Sequence, residues 1–426
     1  MISEPASLAD AQQRDAADSL ACLAADFHHP RRADGSPYTY LCGHSLGLQP
    51  RRAADYVRQE LEDWARAGVL GHEQGTRPWI SYHRHCAGAL ADLTGAAPAE
   101  VVAMNSLTVN LHLMMTSFFR PQGTRNTILI EAGAFGSDRY AVVSHLKLHG
   151  LSEEQHLVEL APRAGERCLR GEDILETIER HAQRLALVLL PGVQYLTGQS
   201  FDLPAIIGAA HRAGAAAGVD LAHAIGNTVL RLHDWNVDFA VWCSYKYLNA
   251  GPGATGGCFV HERHARRFDL PRLAGWWGHD PDTRFQMGPQ FHPIAGADGW
   301  QVSNPPILAT APLLASLELF ARAGMPALRR KSEQMTAWLE SAIQAQLDAH
   351  IEIITPSDPA QRGCQLSLRV RRTPQQARQA HERLGAAGVL ADWREPDIIR
   401  LAPVPLYNSF SDCHHAVRAL GEALRG

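Results

Sequence analysis

Residues 185–190, Leu-Ala-Leu-Val-Leu-Leu, form an unbroken apolar run closed by Pro191-Gly192. A run of that length between turn signals suits a strand buried on both faces, as in the centre of a parallel sheet. Further short strands are expected at 101–104, 127–130, 215–219 (ending in Asp220), 239–242 and 257–260. Helical patterns at 109–119 and 203–213 lie between them, and this alternation predicts an α/β fold with a mostly parallel, helix-flanked sheet. After about residue 310 the rhythm changes. Helices at 308–323 and 325–348 precede strands at 351–354, 364–370 and 398–402, an amphipathic helix at 374–387 and a final helix. That is a smaller α+β domain, joined through a long helix. Upstream, an amphipathic helix at 8–27, a strand at 38–42 and helices at 51–66 and 81–94 are expected. The 426 residues exceed one ordinary core. The expected division is an N-terminal arm, 1–66, contributing to the small domain, a large domain, 67–310, and the small domain, 311–426.

Composition narrows the function. The net charge of −4 and the absence of a basic run give no field for nucleic acid. The eight cysteines are scattered without a Cys-x-x-Cys pair, which argues against a zinc ribbon or disulfide framework and for a reducing compartment. His83 and His85, two apart, do not share a helical face and make a poor metal pair, so no metal is expected. The opening Met-Ile-Ser-Glu-Pro-Ala-Ser lacks the basic start and apolar core of a leader, and no apolar run approaches the ~20 residues of a membrane span. A soluble, cytoplasmic protein is expected.

Chemistry concentrates around Phe239-Ala-Val-Trp-Cys-Ser-Tyr-Lys-Tyr-Leu-Asn249. Lys246 falls at the C-terminal end of a buried strand, where open α/β sheets place ligands. Partial burial lowers a lysine's pKa and favours Schiff-base chemistry, although a lysine with its stem along the sheet would read the same way. Gly251-Pro-Gly253-Ala-Thr-Gly256 matches Gly-x-Gly-x-x-Gly, but a strand and not a helix follows it, which excludes a dinucleotide fingerprint. Gly43-His-Ser45-Leu-Gly47 has nucleophile-elbow spacing but precedes the sheet. What survives is Asp220 at one strand end, Lys246 at the next, and the helix start at Asn105-Ser-Leu-Thr108 upstream. Pyridoxal phosphate needs those parts: a lysine for its aldehyde, a carboxylate for its ring nitrogen, and helix amides for its phosphate. Phe135 is placed to cover the ring.

The ordered motifs Asn105-Ser-Leu-Thr-Val-Asn-Leu-His112, Asp220-Leu-Ala-His-Ala-Ile-Gly226, His233-Asp-Trp-Asn-Val-Asp-Phe239, Trp242 to Asn249, Gly275-Trp-Trp-Gly-His279, Ser303-Asn-Pro-Pro306 and Ile399 to Asn408 are similar to those of kynureninases. These are fold-type-I pyridoxal phosphate enzymes related to aminotransferases, and the resemblance runs from about residue 38 to 410. It implies that Lys246 is the Schiff-base lysine and that Asp220 partners the pyridine nitrogen, with His223 beside it. Leu107 and Thr108 would hold phosphate and Phe135 would stack on the ring, with Gly136, Ser137 and Asp138 around it. Tyr245 would touch phosphate and protonate the departing alanine carbon. Trp276 and Asn304 would reach the cofactor and substrate from a neighbouring subunit, which implies a homodimer with shared active sites. Arg400 would clamp the substrate α-carboxylate; His72, Asn304 and Ser45 would lie on the substrate side.

The implied reaction is hydrolysis of L-kynurenine or 3-hydroxy-L-kynurenine to anthranilate or 3-hydroxyanthranilate plus L-alanine, in tryptophan catabolism and NAD biosynthesis. His44 stands where the family pattern has asparagine, Ser106 where alanine is common, and Gly136 where proline is common. His72 together with Asn304 resembles the pairing of enzymes that favour the 3-hydroxylated substrate. The alternatives are an aminotransferase or a cysteine desulfurase on the same fold, or a non-catalytic cofactor-binding regulator.

Overall fold

In the computed structural model, which describes residues 7–425, the run at 185–190 becomes the strand Leu185–Pro191, buried in all but its last residue. Its side chains divide between two cores: Val188 and Leu190 enter one, Leu187 and Leu189 the other. Apolar residues on both faces follow directly from that packing. The first six residues, part of the stretch read for a leader, lie outside the described residues.

Seven strands build the main sheet: β1 (Val101–Ala103), β2 (Thr127–Glu131), β3 (Leu157–Leu160), β4 (Leu185–Pro191), β5 (Ala216–Asp220), β6 (Phe239–Trp242) and β7 (Gly257–Val260). Their order is β1-β7-β6-β5-β4-β2-β3. The pairs from β3 to β6 are parallel, while β7 runs antiparallel to both its neighbours. A second sheet of four antiparallel strands, β8 (Ile351–Ile353), β9 (Leu366–Val370), β10 (Asp392–Arg394) and β11 (Ile398–Leu401), has the order β8-β9-β11-β10.

Several elements depart from expectation. The helix expected over 8–27 ends at Ala17 and resumes as a 3-10 turn, Ala21–Asp26; the Asp18 side chain accepts from Leu20 N at 2.8 Å, a local bond that competes with the helix. The helix expected over 81–94 is 3-10 from Trp79 to Cys86 and α-helical only over Ala87–Thr94. The helix after β1 starts at Leu107, two residues earlier than its apolar pattern.

Packing divides the chain inside a helix. Ile307–Ala323 buries Ala311, Leu313, Leu317 and Phe320 in the larger core, joined by Leu328 of the next helix, Met325–Leu347. From Met335 onward that helix serves the smaller core. The N-terminal segment is shared likewise: Ala11 and Leu41 pack with the smaller core, Leu23, Phe27 and Leu48 with the larger. Among the described residues no single helix is long and apolar enough to cross a membrane.

Candidate active site

The parallel strands end along one edge of the sheet, and their last residues line a cavity: Glu131 of β2, Pro191 of β4 and Asp220 of β5. The turn after β6 brings in Tyr245 and Lys246, and two helix starts contribute Leu107 with Thr108, and Phe135 with Ser137 and Asp138. His223, three residues past Asp220, completes this wall. Lys246 Nζ lies 3.1 Å from His223 Nε2 and 5.8 Å from the ring centres of Phe135 and Tyr245. Gly136 sits within the same helix start but does not line the cavity.

The floor is crowded with acids. Glu131 is 3% exposed and Asp138 is buried, and both face the cavity with Asp220. Burial pushes the Glu131 carboxyl up to about 8. Burial, and then the neighbouring Asp220, push Asp138 well above the usual carboxylate range. Asp220 accepts from Ala222 N at 2.7 Å. Asp138 Oδ1 and His223 Nδ1 are buried with no hydrogen-bond partner among the described residues. Burial, reinforced by the charges of Lys246 and Arg400, keeps the His223 imidazole neutral. The Tyr245 phenol is pushed up chiefly by burial, so it holds its proton at neutral pH.

These residues fit pyridoxal phosphate. Buried acids beside one lysine leave room for a protonated ring nitrogen, and the unpartnered Asp138 Oδ1 and His223 Nδ1 await polar neighbours. Ser106 is extended and makes no side-chain cap, so the 12-residue helix Leu107–Phe118 opens with uncapped amides, which suit phosphate. Phe135, half-exposed and edge-on to Tyr195 at 5.2 Å, is free to cover a ring.

The second part of the site is built on the small sheet. Arg400 of β11 is fully buried and stands directly opposite Asp392 of β10 in the antiparallel register. Its Nε and Nη2 donate to Asp392 Oδ1 at 2.9 and 2.7 Å, and Nη1 donates to the Tyr195 carbonyl. Burial alone would raise the Asp392 carboxyl, but Arg400, the Ser45 hydroxyl and Arg394 hold it below the usual range. Ser45 donates to Asp392 Oδ2 at 2.6 Å, which draws the loop 43–47 to this pair. On its other side the loop is tied to the lysine turn by Gly47 N donating to Tyr245 O at 2.8 Å. A Cβ at Gly47 would collide with Asn249 and the Lys246 carbonyl, so this close approach requires glycine.

Three expected site residues lie elsewhere in the chain. His72 ends a 3-10 turn and packs edge-on against Trp79 at 5.5 Å. Trp276 is 41% exposed and donates to the Arg284 carbonyl, and Asn304 is exposed. None of them borders the cavity, nor do Arg400 and Ser45, which reach it only through the bonds to Tyr195 and the lysine turn described above. Conversely, Tyr195 and the buried carboxyl of Glu131 line it without having been singled out, and Asp392 holds the arginine. Glu131 directly follows the strand expected at 127–130 and extends it by one residue, with no other signal. Asp392 carried no signal, because its meaning comes from a cross-strand register.

Comparison with known proteins agrees with this geometry. The chain matches the family model of the kynureninase C-terminal domain over residues 328–420. It is 58% identical over 410 residues to the kynureninase of Myxococcus xanthus, covering 96% of each chain. Against that of Xanthomonas campestris it is 58% identical over 417 residues, covering 98% of each. Against that of Koribacter versatilis the identity is 55% over 406 residues, with 95% of each covered. Among solved structures, a cysteine desulfurase from Escherichia coli superimposes with a TM-score of 0.76 at 17% identity, covering 96% of this chain and 98% of that one. The cystine C–S lyase C-DES gives 0.75 at 19% identity, covering 90% and 97%. Those two likenesses establish the fold-type-I architecture. With more than half its residues shared along nearly the whole length of these relatives, the chain belongs to the kynureninase family.

Proposed function

We propose that the chain hydrolyses the side chain of L-kynurenine or 3-hydroxy-L-kynurenine, releasing anthranilate or 3-hydroxyanthranilate and L-alanine. The observation that carries this reading is the convergence of Lys246, Asp220 and Tyr245 on one cavity, with a loop linking them to Arg400. The cofactor is pyridoxal phosphate, which when bound supplies an aldehyde for amines and a ring that accepts electrons. Lys246 would hold that aldehyde, and its amine would carry the substrate's α-proton away from Cα and later return it, so that alanine leaves with its Cα–H restored. Asp220 keeps the ring nitrogen protonated; Leu107 and Thr108 present amides to the phosphate. Arg400 fixes the α-carboxylate. Water adds to the γ-carbonyl, the Cβ–Cγ bond breaks, the aromatic acid leaves with the water's oxygen, and the Tyr245 hydroxyl gives a proton to Cβ.

The placement of His72, Trp276 and Asn304 outside the cavity supports a homodimer in which these residues complete the partner's site. Trp276, with Phe285 edge-on at 5.4 Å, presents exposed apolar surface of the kind a second copy covers. The enzyme acts in the cytoplasm, in tryptophan degradation that feeds NAD synthesis. The small domain begins inside the helix Met325–Leu347, where the packing divides.

A desulfurase needs a mobile, reactive thiol. Here Cys243, the cysteine beside the lysine turn, is buried with its thiol pushed up, chiefly by burial, and Cys42 is likewise raised to about 12. Anthranilate fluorescence after mixing cofactor-loaded enzyme with each kynurenine tests the reading, and turnover of the 3-hydroxylated substrate is expected to exceed that of kynurenine. Release of a keto acid without anthranilate would replace this function with transamination; a wide preference for unsubstituted kynurenine would remove the 3-hydroxyl assignment.

A further inference from the structure

His44 is one of the residues at which this chain departs from the family pattern, and it directly precedes the part of the loop 43–47 that is bonded to both halves of the site. The next residue, Ser45, is bonded to Asp392, which holds Arg400. Two residues further on, Gly47 is bonded to Tyr245, beside Lys246. The His44 ring is 1% exposed, and neither of its nitrogens has a hydrogen-bond partner among the described residues. Its centre lies 6.4 Å from the ring of His223, which in turn touches Lys246 Nζ. A buried imidazole that satisfies neither nitrogen costs stability, and such a cost persists where a ligand repays it.

The nature of that ligand follows from the surroundings. Burial, with the charges of Arg400, Arg394 and Lys246, keeps His44 neutral, so it carries one N–H donor and one acceptor nitrogen. An α-amino acid whose carboxylate meets Arg400 and whose amine is delivered towards Lys246 bridges the same two groups that this loop is bonded to through Asp392 and Tyr245. Arg400 already spends Nε and one Nη2 hydrogen on Asp392, and Nη1 on Tyr195. A substrate carboxylate therefore meets an arginine whose charge is partly neutralised, and a second donor adds both affinity and orientation.

We propose that His44 is a specificity-determining residue of the amino-acid subsite, donating a ring N–H to the substrate α-carboxylate alongside Arg400. The loop holds the imidazole in place before substrate arrives: Leu46 accepts from the Tyr40 hydroxyl at 2.7 Å, and Ser45 and Gly47 are fixed as above. Asparagine at the same position retains an N–H donor on a shorter side chain, whereas leucine fills similar space with none.

This assignment rests on the reading of Arg400 as the carboxylate clamp, and the test separates the two. The cofactor-loaded enzyme is titrated with L-alanine, and separately with ethylamine, which lacks the carboxylate, following the visible absorbance of the cofactor. His44→Leu is expected to weaken L-alanine about ten-fold while leaving ethylamine within about two-fold, and His44→Asn to recover most of the loss, as one hydrogen bond to a charged group would. Equal weakening of both ligands would mean that the ring only supports the fold or the cofactor. Unchanged L-alanine affinity in His44→Leu would mean that a water or Arg400 alone serves the carboxylate. Either result overturns the proposal. Should His44→Leu fail to fold, His44→Ala in the same titrations decides in the same way. If Arg400→Leu leaves the preference for L-alanine over ethylamine intact, it is the clamp that fails; if Arg400→Leu abolishes it and the His44 variants do not disturb it, only His44 is wrong.

Discussion

At the cofactor end of the proposed site, Glu131, Asp138 and Asp220 crowd around one lysine, and Asp138 Oδ1 and His223 Nδ1 have no hydrogen-bond partner among the described residues. At the carboxylate end, Arg400 is bonded to Asp392 and Tyr195, and Asp392 is bonded in turn to Arg394 and Ser45. Both ends bury charge, but one leaves its polar groups waiting and the other satisfies them within the chain. The first arrangement suits a resident cofactor that supplies the missing partners once. The second suits a substrate that comes and goes, because a fully unpaired buried guanidinium would be intolerable between turnovers. The cofactor end should therefore respond to ligand with a gain in stability, and the carboxylate end should respond to mutation with a loss.

The largest contrast is expected from Lys246→Ala. Removing the lysine proposed to hold the cofactor should lower the rate at least ~10³-fold and abolish the visible band of a linked cofactor, read by steady-state kinetics and absorbance. Next is Asp392→Ala, which leaves the buried Arg400 charge unpaired and should destabilise the protein by about 3 kcal/mol or more in denaturant melts. Asp138→Asn at the other end replaces a carboxyl whose charged form burial and Asp220 already disfavour, and should leave the cofactor-free protein as stable as before. Equal losses in the two variants would erase the distinction. Pyridoxal phosphate at ~100 times its dissociation constant should stabilise the cofactor-free protein by about 2.7 kcal/mol, seen as a higher Tm, while L-alanine without cofactor should not.

The last effect is a slope. Glu131 has an ordinary value of 4.5 and titrates at about 8 in the fold. Between those values the unfolded chain has released the proton and the folded chain still binds it, so stability falls as pH rises and levels off above pH 8. One such proton changes stability by at most ~1.4 kcal/mol per pH unit. Melts of the cofactor-free protein from pH 5 to 9 should lose this slope in Glu131→Gln. A slope unchanged by the substitution would place the titrating group elsewhere.

What could be read from the chain follows the same physical divide. Strands buried on both faces announce themselves by uninterrupted apolar residues, and Phe239–Trp242 and Gly257–Val260 fall where they were expected. The edge strand Leu157–Leu160 is only half-buried, and β10, Asp392–Arg394, is three residues long with Trp393 between two charges; neither carries that signal. Residues at the ends of the central strands, Asp220 and the lysine turn, could be located because the sheet sets where its carboxyl edge lies. Arg400 was legible through its motif, but its bond to Asp392 was not, since nothing in the spacing of residues 392 and 400 states that they stand opposite each other. His72, Trp276 and Asn304 were legible only as family positions, because one chain's fold holds them away from its own cavity.

The central claim is that this cavity cleaves a carbon–carbon bond with water, and isotope labelling tests it most directly. Cofactor-loaded enzyme turning over L-kynurenine in ¹⁸O-labelled water should yield anthranilate carrying one labelled carboxylate oxygen and an equal amount of unlabelled L-alanine. Consumption of kynurenine without labelled anthranilate, or with a keto acid in place of alanine, would contradict the account.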